Sequence, residues 1–160
     1  MILRVSGKLG KKIHVAPAEA LEQDSNPFAD WSAHLFTAER LQYVLVTNTA
    51  ALYSALMVGK GITSGEVLIE RTINLLRYTL VHDGLGVQFD SRVAPATGEV
   101  LFSKALNRSV IGSMNDLIYN AKWHMIERGM SPPYTSLLLN EIPMGQLNYA
   151  NAREALLKLG

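Results

Sequence analysis

Along WSAHLFTAE, residues 31–39, apolar and polar side chains alternate with a period of two. Trp31, Ala33 and Leu35 fall on one face of a strand, and Ser32, His34 and Phe36 on the other. Two further runs rich in β-branched and aromatic residues, near 42–48 and 51–58, flank the polar turn Thr47-Asn48-Thr49. The three segments together predict an antiparallel meander. MILRVS reads as a first or edge strand and EVLFSKA as another. The pattern changes at VLIERTINLLRYTLVH, where Ile69, Ile73, Leu76 and Leu80 recur at helical spacing behind a Thr63/Glu66 capping box. A second long helix begins within LNRSVIGSMNDL and runs to about Arg128, with Val110, Met114, Leu117, Ala121 and Met125 as its core stripe. Residues 84–98 read as a turn-rich connection with a short strand at GVQFD, and a last short helix starts near Asn151. GKLGKKI is too short and glycine-punctuated to assign. The expected architecture is α+β. An antiparallel sheet of four or five strands carries two long helices on one face, and a C-terminal segment covers the second helix. One domain spans 1–160, with no internal repeat.

Between Arg40 and Lys60 lie 19 uncharged residues, close to the length of a membrane-spanning helix. Its central Thr47-Asn48-Thr49, together with Gln42, Tyr43, Tyr53 and Ser54, would be buried in lipid without partners, so the hairpin is the better reading. Composition agrees with a packed domain: 48% of the 160 residues are hydrophobic and 18% charged. Fifteen basic against fourteen acidic residues leave a formal charge of +1, which gives no general attraction to nucleic acid or anionic membrane. Arg4, Lys8, Lys11 and Lys12 with His14 read as a solvated basic surface. The chain has no cysteine, which excludes disulfides and thiolate chemistry and fits a cytoplasmic location. MILRVSGKLGKK places charges within and after a very short apolar run, unlike a signal peptide.

Candidate chemistry is sparse. GKLGKK lacks P-loop spacing, and GKGITSG, with glycines at G-x-G-x-x-x-G, reads as a strand-to-helix loop. His14, His34, His82 and His124 form no pair at ligand spacing, so neither a metal nor another cofactor is expected. No serine stands in a nucleophile-elbow pattern. The start of the second helix is the most promising stretch. Asn107 or Ser109 can cap it, its free N–H groups and dipole favour an anion, and Arg108 can supply a fork to a carboxylate or phosphate. Ser113, Asn115 and Asp116 extend this ligand-binding hypothesis, while Arg108 paired to Asp116 or Glu141 is the plainer alternative. Opposite the core stripe lie Gly112, Asp116, Tyr119 and Trp123. Such a face asks for a cover, either the C-terminal segment, a dimer partner or a ligand. His34 and Asp116 are the candidate acid/base residues, against a hydrogen-bonded structural role for His34.

Three blocks carry a resemblance: WSAHLFTAERLQYVLVTN, LNRSVIGSMNDL and LNEIPMGQL. In this order and spacing they resemble the W-x-A-x-L-F, N-R-S-V-x-G-S-M-N-D and L-N-x-x-P-M blocks of a bacterial family of small proteins known only as a domain of unknown function. The basic stretch after the first strand is similar too, whereas AALYSALMVG is more hydrophobic than the family's usual form. The resemblance implies one intact domain and marks Trp31, His34, Asn48, Arg108, Ser109, Gly112, Ser113, Asn115, Asp116, Asn140 and Pro143 as motif positions. It carries no activity, substrate or catalytic set. Two functional expectations follow. The first is a non-enzymatic binding or interaction domain, a homodimer or a partner of another protein, in contact through Gly112, Tyr119 and Trp123. The second is an enzyme acting on a phosphorylated or nucleotide-like small molecule through Arg108 and the helix start at Ser109.

Overall fold

All residues of β1 (Ile2–Val5) are buried, the pattern of a strand covered on both faces rather than of an edge. In the computed structural model, which describes residues 1–160, β1 runs parallel to both its neighbours, β2 (Asp30–Ala38) and β5 (Leu101–Ser103). β2 continues into β3 (Leu41–Asn48) and β4 (Ser54–Val58) as the expected antiparallel meander. The five-stranded order is β4-β3-β2-β1-β5. The sheet is therefore mixed, not antiparallel throughout. A parallel neighbour requires a crossover, and α1 (Gly7–Ile13) begins it from the glycine-punctuated stretch that the sequence left unassigned. Ser6 caps this helix at Leu9 N, and Leu9 and Ile13 anchor it in the core. Gly10 is required by close packing: a Cβ there would lie 2.6 Å from the Val15 carbonyl oxygen, where the chain doubles back.

α2 (Gly65–His82) is capped by Ser64, one position later than the capping box suggested. Its buried residues are Leu68, Thr72, Leu76, Thr79 and Leu80, while Ile69 and Ile73 are half-buried. The stripe is thus rotated by one residue toward the two threonines. No strand forms at GVQFD. Leu85, Phe89 and Val93, spaced at i, i+4 and i+8, are instead buried by helical turns: α3 (Gly86–Gln88), a wide turn Phe89–Val93 and a tight one Ala94–Gly98. α4 (Arg108–Lys122) is capped by Asn107 at Val110 N, 3.0 Å away, and runs on through a wide turn to Glu127. Val110, Met114, Leu117 and Ala121 are buried as the stripe predicted, and α5 (Pro132–Leu139) and α6 (Ala152–Leu157) follow.

Alternation along the strands decides where the helices lie. Leu3, Trp31, Ala33, Val44 and Val46 pack with Leu9 of α1, Leu68 and Leu76 of α2 and Leu156 of α6. Phe36, Leu45 and Leu56, of opposite parity, pack with Val110, Met114 and Leu117 of α4. The two long helices therefore cover opposite faces of the sheet, not one face together, because both faces of the meander are apolar. α5 closes the outer edge of β4 with side chains. Asn140 accepts from Ser54 N at 2.7 Å and donates to Ser54 O at 2.8 Å, while Ser136 Oγ accepts from Leu56 N at 2.9 Å. Side chains thus occupy the Ser54 and Leu56 part of this edge, which reduces its capacity to pair with another chain.

Candidate functional site

The connectivity of the parallel strands opens a crevice. β1 leaves the sheet at Val5 into α1, which packs on one face. Its neighbour β5 leaves at Ser103 toward α4, which packs on the other. Where adjacent parallel strands send their connections to opposite faces, a cleft forms beyond their carboxyl ends. Here it is a cavity of about 830 Å³. Ser6 and Gly7 follow β1 into one wall, joined by Lys11 and His14 of α1. Lys104 and Ala105 follow β5 into the other, joined by Ile111 of α4, and Val15, Ala16 and Pro17 form the rim.

The crevice walls are tied down by a buried charge pair. Arg4, read from the sequence as part of a solvated basic surface, is 1% exposed. Its Nε and Nη2 donate to the two carboxylate oxygens of Asp30, each at 2.8 Å. Nη1 donates to Leu21 O at 2.8 Å and reaches Ser103 Oγ and Lys104 O, and Nη2 donates to Glu22 O. Asp30 in turn accepts from Thr49 Oγ1 and Asp24 N. Every partner position is filled, as a buried ion pair requires. The consequence for the site is mechanical. One guanidinium fixes both the segment that follows the rim and the backbone of Lys104, while Lys104 N donates to Glu19 O at 3.0 Å. Arg4 therefore braces the crevice walls, a role that periodicity alone could not find.

His34 projects from β2 on the α4 side and lines the crevice. It also lines an adjoining cavity of about 700 Å³ with Lys8, Thr37, Gln42, Asn115 and Lys122. Burial lowers its pKa below the ordinary 6.5, so the ring is neutral at pH 7.

The residues singled out at the start of α4 are divided by the helix itself. Arg108, Ser109, Gly112, Ser113 and Asp116 line a separate groove of about 600 Å³, whose far wall is residues 142–146. Gln146 Nε2 donates to Ser109 O at 3.0 Å and contacts its hydroxyl. Asn115 turns instead toward the cavity shared with His34. Arg108 forms no ion pair with Asp116 or Glu141; the pairs of the chain are Met1–Asp24, Arg4–Asp30 and Arg153–Asp83. His34 and Arg108 line different cavities, and no three His, Asp or Glu side chains gather as a metal-binding set. The C-terminal segment flanks α4 without covering its outer face: Tyr119 is 75% and Trp123 49% exposed, and a Cβ on Gly112 would meet nothing within 4 Å. Three other motif positions hold the fold. Trp31 Nε1 donates to Phe28 O, Asn48 organises the turn after β3 by accepting from Ala50 N and Ala51 N, and Asn140 closes the β4 edge.

No helix is long and apolar enough to cross a membrane. Residues 2–155 match the family model described as a domain of unknown function, DUF6933, and the chain belongs to that family. No curated protein matches it.

Proposed function

For this member of the DUF6933 family we propose a non-enzymatic, small-molecule-binding role, with the crevice beyond the carboxyl ends of β1 and β5 as its site. The observation that carries the reading is the divergence of α1 and α4 to opposite faces from adjacent parallel strands. Two features support it. A volume of about 830 Å³ is within the range of pockets for small organic ligands. The Arg4–Asp30 network holds the backbone around the crevice before any ligand arrives, so little ordering cost falls on binding.

A second reading is an enzyme acting on a phosphorylated or nucleotide-like molecule along α4. It draws on the presence of Arg108 and Asp116 in one groove, a cation for the anion and a carboxylate for proton transfer. His34 has no part in that version, because it opens onto other cavities.

A thermal-shift screen separates the two. The protein is heated with nucleotides, sugar phosphates, carboxylates and apolar organic acids, alongside Ala105→Trp, which fills the crevice, and Arg108→Ala. A ligand at about 100 times its Kd stabilises by roughly 2.7 kcal/mol, or about 5–10 °C for a chain of this size. A shift lost in Ala105→Trp and retained in Arg108→Ala supports the crevice. The reverse pattern transfers the site to the α4 groove.

A further inference from the structure

Resting on the crevice as the binding site, we propose that its ligand is a small amphipathic anion. The apolar body lies against Val5, Val15, Pro17 and Ile111, and one anionic head is met by Lys11 and Lys104. The charge on the walls carries this. The ionisable side chains lining the crevice are Lys11, Lys104, His14 and His34, and no carboxylate is among them. In a chain with fifteen basic and fourteen acidic residues, such a wall is a local excess rather than a reflection of overall charge. Neither lysine is spent elsewhere: the ion pairs of the chain use other residues, and it is Lys12, not Lys11, that donates to Gln42. Lys104 is held from the backbone, so its ammonium group extends from a fixed point.

The remaining surface is largely carbon, from Val5, Val15, Ala16, Pro17, Ala105 and Ile111. This balance suits one charged group on a hydrocarbon or aromatic body. A polyphosphate would leave charges facing apolar walls, and a cation would meet two ammonium groups with no carboxylate to offset them. The α4 groove differs in kind, since Arg108 and Asp116 give it both signs.

The probes are 1-anilinonaphthalene-8-sulfonate and N-phenyl-1-naphthylamine, aromatic bodies of the same shape with and without the anionic group. Each is titrated into the full chain and followed by fluorescence. The sulfonate is expected to bind at one site, several-fold tighter than the neutral amine. Lys11→Gln or Lys104→Gln should each weaken it about 2- to 5-fold and leave the amine unchanged. Both probes should be lost on Ala105→Trp, or on Ala16→Trp at the exposed rim should the first variant fail to fold. Equal binding of the two probes, indifferent to the lysines but blocked by tryptophan, overturns the anion and keeps the crevice. Binding that survives both tryptophans overturns the crevice itself.

Discussion

Replacing Arg4 with methionine tests the part of the structure on which the crevice depends. Methionine fills a similar volume but removes the whole set of donors from a position where both charged side chains are 0% exposed. Asp30 would keep Thr49 Oγ1 at 2.8 Å and Asp24 N at 3.0 Å, and lose the two guanidinium contacts at 2.8 Å. The carbonyls of Leu21 and Glu22 would lose that donor as well. Breaking a buried pair from one side costs about 3–5 kcal/mol, because the surviving charge stays buried without compensation. At about 2–4 °C per kcal/mol for this size, melting should fall by roughly 6–20 °C. Urea denaturation followed by fluorescence reads the same loss, with buried Trp31 as reporter. Arg4→Met combined with Asp30→Leu should recover part of the stability, since no charge is then buried unpaired, while Asp24 N and the Leu21 and Glu22 carbonyls remain without these partners. Probe binding should recover less than stability, because the guanidinium contacts to Leu21 O and Lys104 O are gone and only Ser103 Oγ and Glu19 O still hold those segments. A loss below about 1 kcal/mol for the single variant would refute the reasoning.

Asn140→Ala should cost about 2–3 kcal/mol, because Ser54 N and O on the β4 edge both lose their partner. Light scattering on heating should show earlier aggregation than for a core variant of equal stability, and matching onset would argue against an edge-protecting role. Burial holds the His34 ring below its ordinary 6.5. As pH falls beneath that value, the unfolded chain takes up a proton that the folded chain resists, so stability declines there and is steady above it. His34→Gln should reduce this slope in urea midpoints between about pH 7.5 and 5, leaving the part due to His124, which is also lowered; an unchanged slope would count against it. Asn107→Ala removes the cap of α4 and should cost about 1 kcal/mol in denaturant titrations, with no change if water caps the helix equally well.

The meander was legible because alternation is local: Trp31 and Phe36 declare opposite faces within six residues. The buried side of α4 was legible for the same reason. The rotation of α2 was not, since Thr72 and Thr79 are buried where a count of apolar residues favours Ile69 and Ile73. An amphipathic stripe also says only that a helix has a buried side, and cannot say which face of the sheet receives it. The parallel pairing of Ile2–Arg4 with Leu101–Ser103 leaves no local mark on either segment. The crevice depends on that pairing, so Lys11 read as part of a solvated basic surface and Lys104 drew no reading at all. The groove beside Arg108 was easier to anticipate, because one helix start supplies much of it.

The pairing of Ile2 with Leu101 sets an order of events in the cell. A ribosome adding about 5–20 residues per second completes β1 and the meander well before β5, the wait from β1 being roughly 5–20 s. During that interval one side of β1 has no partner, and Arg4 lacks Ser103 and Lys104. The crevice has only one of its two walls until the second parallel strand arrives. A nascent chain can thus hold a formed hairpin and still lack the proposed site, so ligand capture there would report the completion of folding rather than its beginning.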